Sequence, residues 1–267
     1  MPPEGQRRLR LRFSKLGKVR FTSHRDVARV WERALRRSRL PMAYSQGFAP
    51  HPLVSFGLAL PTGCESLGEY LDVRLGAPAA DEAAVTDLPA LLSPLLPDGI
   101  AVQAAAFVAE WEDSLQQEVA SCDWVLEVLG VPDAELQERI EQVLSAPSLM
   151  VRRQRKGRQV DDDIRPALRT LVLAEQHGHL RAELATHPRG VRPADLVATL
   201  GTGAVPGRAR RTHQWIERDG ARFEPLSLSG VVTAPAATQH ARSTFPHVRD
   251  GNEPIPGGAP AGGGRGR

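Results

Sequence analysis

The stretch Arg8-Leu9-Arg10-Leu11-Arg12-Phe13 alternates strictly between a charged and an apolar residue. A period of two is that of a strand, so Leu9, Leu11 and Phe13 share one face and the three arginines the other. Lys15 to Lys18 around Gly17 turns the chain. Ser23 then opens a helix, with Asp26 three residues on as an approximate capping box. Its apolar stripe is Val27, Trp31, Ala34 and Leu35, and Pro41 lies past its end. Farther out, Val54 to Leu60 and Glu69 to Leu75 alternate as strands. Asp81 to Leu96 has helical composition interrupted by Pro89 and Pro94, and Ile100 to Val108 is a fourth strand. The order is βαββαβ.

The same order returns downstream. A strand carries Cys122, Trp124, Leu126 and Val128, and a helix runs from Asp133 to Leu144. Leu149 to Arg153 is a short strand. Leu168 to Ala174 and Leu180 to Thr186 form a hairpin, Pro193 to Leu200 a short helix, and Thr212 to Glu217 a last strand. Each helix must cover one face of a sheet. The pattern predicts an α+β protein of two tandem ferredoxin-like βαββαβ units. The N-terminal unit spans residues 1–110 and the C-terminal unit 120–218. From residue 219 to 267 Gly and Pro dominate and apolar periodicity ends, so this segment is expected to be a disordered tail.

Charge is segregated along the chain. The net charge of +3 conceals 13 basic against 3 acidic residues in 1–60, and 2 against 17 in 61–147. The basic block predicts a phosphate-binding surface, with RNA as the natural ligand. Arg10, Arg12, Lys15, Arg20, Arg29 and Arg33 are its candidates, the strand arginines on an uncovered sheet face and the others on the turn and helix. His24, in the first helical turn, is the candidate catalytic base. The segment Tyr44-Ser45-Gln46-Gly47-Phe48-Ala49-Pro50-His51 is a candidate ligand loop, with Tyr44 or Phe48 stacking a base. His24, His51 and this loop are expected to converge on one site. The Gly-rich segment 201–207, followed by Arg208, Arg210 and Arg211, is a second candidate phosphate cradle.

Other chemistries find no support in the sequence. There is no Walker motif, no GxGxxG between strand and helix, no HxxxH pair and no three-cysteine cluster, so neither metal nor cofactor is predicted. Cys64 and Cys122 fit no disulfide framework, which makes a reducing cytoplasm the simplest compartment. No apolar run is long enough to span a bilayer, and no membrane partner is expected.

The dense pattern Arg12-Phe13-Ser14-Lys15, Arg20-Phe21-Thr22-Ser23-His24, Tyr44-Ser45-Gln46-Gly47-Phe48, Pro50-His51-Pro52 and Glu69-Tyr70-Leu71-Asp72 resembles the bacterial radical-SAM-linked protein family, a domain of unknown function. The likeness is tight over 8–76 and looser over 77–218, where Asp163-Ile164-Arg165-Pro166 is the main echo. It implies a radical SAM protein as partner and names no activity. Three functions follow as expectations. The first is a radical-SAM-associated accessory protein that binds RNA or another polyanion. The second is a metal-independent endoribonuclease of tandem ferredoxin-like type. The third is a protein–protein adaptor for the radical SAM enzyme, presenting the acidic block 61–147.

Overall fold

The fold is that of a computed structural model, which describes residues 6–76, 85, 87–109, 114–155 and 157–226. Strand β1 (Arg7–Lys15) lays Leu9, Leu11 and Phe13 under helix α1 (His24–Arg37). The helix answers with Val27, Trp31, Ala34 and Leu35, all buried. Trp31 is fully enclosed and meets Phe13 edge-on, ring centroids 4.9 Å apart. Ser23 caps the helix. Its Oγ accepts the Asp26 N–H at 3.2 Å and donates to the Asp26 carboxylate at 2.7 Å, satisfying one of the free N–H groups of the first turn.

Strands β2 (Val54–Phe56), β3 (Glu65–Leu75) and β4 (Ile100–Val108) complete the first half. Their order is β4-β1-β3-β2, every neighbour antiparallel. Short helix α2 (Leu88–Leu92) continues as a 3-10 turn through Leu95, with Pro89 in its first turn. The upstream part of the expected helix, residues 81–84, lies outside the described residues.

The second half comprises helix α3 (Leu115–Glu118), strand β5 (Val119–Leu129), helix α4 (Asp133–Ser145) and strands β6 (Met150–Arg155), β7 (Arg158–Asp163), β8 (Leu168–Leu173) and β9 (His179–Ala185). Helix α5 (Pro193–Ala198) and strands β10 (Val205–Arg218) and β11 (Ala221–Phe223) follow. Here the order is β10-β5-β9-β8, again antiparallel throughout. The halves share one nine-stranded sheet because β3 runs on beyond β2 and pairs with β10, in parallel, through Arg210–Glu65 and Arg211–Ser66. The protein is therefore a mixed α+β fold with a large, mostly antiparallel sheet and few helices. Each half keeps its own apolar core. Contacts group residues 1–234 as one unit and 235–267 as a second, the latter outside the described residues.

Several elements differ from expectation. Strand β2 stops at Phe56: the Gly57 N–H still reaches Tyr70 O, but Leu58 and Leu60 leave the edge to pack on the second core. The expected short strand at 149–153 is one arm of the β6–β7 hairpin, whose charged alternation mimics a loop. Strand β10 begins at Val205 rather than Thr212. The ordered chain also passes residue 219. Asp219 and Gly220 both take positive φ and turn β10 into β11, as a two-residue hairpin requires.

That extension overturns the reading of the arginine face. Arg8 and Arg10 do leave the core of α1 on the opposite side of β1, but this side is covered. Leu115 and Leu226 pack there against Tyr70 and Ala106. Arg10 has no exposed surface, grips Asp72 through two hydrogen bonds of 2.8 and 3.0 Å, and donates to Pro225 O. Arg12 pairs with Glu224 at 2.6 Å.

Removing one partner of a buried ion pair leaves the other charge desolvated and alone. Asp72→Asn is expected to destabilise the protein by about 3–5 kcal/mol, with Arg10→Met/Asp72→Leu recovering most of the loss. Urea unfolding of the three proteins measures this.

Candidate site at the junction of the two halves

Where β3 meets β10, the chain from Leu58 to Pro61 crosses the helix-bearing side of the sheet. Beneath it lies a buried ion pair. Arg211, 2% exposed, donates from Nε and Nη2 to the Glu69 carboxylate at 3.0 and 2.7 Å, and from Nη2 to Leu58 O at 2.9 Å. Its guanidinium lies 5.5 Å from the centre of the Trp124 ring. Burial works against the Arg211 charge, but Glu69 and Cys122 together hold its pKa above the usual arginine value.

Lys15 is also buried and donates from Nζ to Thr22 O at 2.9 Å. Desolvation lowers its pKa, with Glu69 pulling the other way. Lys15 shares the parity of Leu9, Leu11 and Phe13 along β1 and so lies on this side of the sheet. On one flank of Leu58, a small cleft of ≈ 20 Å³ is lined by Phe13, Lys15, His24, Phe56, Glu69 and Tyr70. It has room for about one water. His24 meets the Phe56 ring edge-on at 5.2 Å. On the other flank, a wider cleft of ≈ 230 Å³ has Cys122, Trp124 and Arg211 among its lining, with Thr186 and Arg192 beside them.

The structure thus joins His24 and Lys15 to Glu69 and Arg211, two residues that spacing alone did not single out. Glu69 sat inside the family pattern, and Arg211 in the basic run after the Gly-rich segment. It does not bring in the ligand loop. Tyr44 bridges to Pro52, and the neighbouring Met42 to Leu75, at the far end of β3 from Glu69. His51 hydrogen-bonds within the loop, to Ser45 Oγ at 3.1 Å. From His51 to Phe56 the chain spans about 16 Å of extended strand. The expected meeting of His24 with His51 is corrected: βαβ topology puts them at opposite ends of α1.

The basic candidates divide into two groups. Arg10 and Lys15 are buried and Arg12 is half-buried, so the expectation that they face solvent is corrected. Arg20 is half-buried, 3.7 Å from Glu65. Arg29 and Arg33 are exposed on α1, Arg29 beside Asp26 at 3.3 Å. The Gly-rich cradle is corrected too. The Arg208 N–H donates to the Glu127 carboxylate at 2.8 Å, and a Cβ on Gly207 would lie 2.6 Å from that same oxygen. An internal carboxylate already occupies the place an anion would take. Among the described residues no group of three His, Cys, Asp or Glu is arranged to hold a metal ion, and no helix is long and apolar enough to cross a membrane.

The family described as "Uncharacterized protein conserved in bacteria (DUF2344)" matches residues 8–193. The chain belongs to this family. The match takes in β1, α1, the ligand loop, the acidic strand β3 and most of the second half, but ends before β10. No curated protein matches the chain. Among solved structures, one chain of a Cbf5-Nop10-Gar1 complex is similar, at 13% identity and a TM-score of 0.39. The alignment covers 77% of this chain and 48% of that one, so it spans about half the length of its neighbour.

Two predictions follow from the junction chemistry. Burial pushes the Cys122 thiol up to about 11, against the pull of Arg211, and also raises Cys64. Both thiols are expected to resist alkylation at pH 8 until denaturant is added, as mass spectrometry would show. Glu65 is the second case. Burial alone would raise its pKa, but hydrogen bonds from Arg210 and the Gly17 N–H, with the charges of Arg210 and Arg20, bring it below the usual glutamate value. A carboxylate depressed on folding stabilises above its unfolded pKa and loses that benefit as pH falls through the folded value. The Glu65→Gln protein should therefore be less stable at neutral pH, and its Tm should fall less between neutrality and acid than that of the unaltered protein.

Proposed function

We propose that this protein is an accessory RNA-binding module whose contact surface is the outer face of α1, built on two ferredoxin-like units and working with a radical SAM enzyme. One observation carries the reading. The strand arginines are neutralised inside the molecule, by Asp72 and Glu224. The helix arginines are not. Arg25, Arg33, Arg36 and Arg37 are exposed, and among the described residues no acid pairs with them. Arg29 keeps only the solvent-exposed Asp26, a pair that contributes little. Spacings of three and four set these side chains along the helix in a strip, and Lys18 adds a charge beyond its first turn. Such a strip binds phosphates by releasing their counterions, with little sequence preference.

The repeated strand order, fourth-first-third-second in both halves, supports the ferredoxin-like assignment. The radical SAM partner rests on the sequence resemblance. A second reading, metal-independent RNA cleavage, draws on the position of His24 beside Lys15 and Glu69 in the small cleft. Cleavage of bound RNA in excess chelator, abolished by His24→Ala, selects that reading. Intact RNA leaves the accessory role.

The salt dependence of RNA binding tests the surface. Arg29→Gln/Arg33→Gln/Arg37→Gln is expected to reduce the slope of log affinity against log salt by about three. Unchanged affinity and slope would remove the nucleic-acid reading.

A further inference from the structure

We propose that the loop Tyr44 to His51 is a base-stacking platform that makes the α1 surface selective for single-stranded RNA; this rests on the RNA-binding reading above. The side chain of Phe48 is completely exposed, at 112% of its reference area, and Tyr44 is 44% exposed. An aromatic ring held wholly in water contributes nothing to a core. Slack chain would explain it, but this loop is not slack. The Ser45 N–H donates to His51 O at 2.9 Å, the His51 N–H to Ser45 Oγ at 3.2 Å, and the Leu53 N–H to Ala43 O at 2.9 Å. Pro50 and Pro52 restrict the returning arm. At the tip, Gly47 has φ +130 and no atom near its missing Cβ, so the turn that throws Phe48 outward uses a backbone state closed to other residues. The result is a ring presented on a closed hairpin-like base.

Position supplies the second argument. Met42 bridges to Leu75, and Leu75 pairs with Arg7. The loop therefore leaves the sheet at the end reached by the last turn of α1, where Arg36, Arg37 and Arg39 are exposed. Arg39 itself takes a left-handed conformation, φ 59, as the chain turns from the helix toward the loop. An exposed ring on a loop that leaves the sheet at the same end as exposed guanidinium groups suits a single strand: the ring takes one unpaired base and the cations take phosphates along the same strand. Bases inside a duplex are stacked on each other and offer no face to such a ring, and the A-form groove admits no side chain of this kind. A hydrophobic protein partner would fit Phe48 alone but gives no role to the three arginines.

Fluorescence anisotropy of the full chain with a labelled 12-nucleotide oligouridine, and with a 12-base-pair RNA duplex, separates the outcomes. The unaltered protein is expected to prefer the single strand. Phe48→Ala should weaken oligouridine binding at least about tenfold, leave duplex binding unchanged, and leave the salt slope unchanged. Phe48→Trp should retain affinity. Phe48 touches no core, so Tm should not move. Equal affinity of Phe48→Ala and the unaltered protein for oligouridine overturns the stacking role while the α1 surface stands. Equal loss on single strand and duplex overturns it in the same way. If neither RNA binds the unaltered protein, both this inference and the reading beneath it fail.

Discussion

The Glu69–Arg211 pair is the constraint around which the rest of the molecule is arranged. The two antiparallel halves, each with its own core, are joined in one sheet through two registered residue pairs of β3 and β10. So short a parallel seam has few ladder hydrogen bonds to hold it. It is held by charge: Arg211 on Glu69 and Arg210 on Glu65, both carboxylates buried. Asp72, farther along β3, is held from the other side by Arg10 of β1. An acidic strand thus lies between two basic ones. Their pairing is specific, because a slip of one residue would leave buried carboxylates without partners.

The segregation of charge along the chain, net +3 overall, is matched by pairing within the fold. Part of the basic block and part of the acidic block cancel inside the sheet. What remains for solvent includes the α1 face, where Arg29 is paired with the exposed Asp26 and Arg25, Arg33, Arg36 and Arg37 are exposed. Binding energy for a polyanion depends on cations that keep their hydration until the ligand arrives, and the helix retains such cations where the strand does not. Within the acidic block, Glu65, Glu69 and Asp72 are buried in the sheet, whereas Glu135, Glu138 and Glu141 remain exposed on α4.

Much of this was legible from local pattern. Strict alternation placed Leu9, Leu11 and Phe13, the Ser23 cap set the start of α1, and Ile100 to Val108 emerged with its observed limits. The failures share one cause: they needed information from distant chain. Nothing near Arg10 signals that Pro225 will accept its hydrogen bond, so a polar strand face read as exposed. Glu127 stands about 80 residues before Gly207, whose missing Cβ position it occupies. Leu58 and Leu60 alternate like a strand, yet leave it because a second core lies within reach. The site itself was half legible. His24 and Lys15 were marked by charge and position, whereas Glu69 and Arg211 acquire meaning only once β3 and β10 are neighbours.

The hydrogen bond from Arg10 to Pro225 O joins residues 215 positions apart. Strand β10, the last long strand among the described residues, is also the one by which the second half joins the first. A nascent chain therefore emerges with β1 and β3 already synthesised but their buried charges and the seam edge of β3 still open to water. Contacts of such long sequence separation form late. Until β10 leaves the ribosome, the Glu65–Ser66 end of β3 has no partner on that side, the kind of edge most open to aggregation. The closing hairpin acts as the final fastener of the fold, so the time taken to translate the second half sets how long the first must wait.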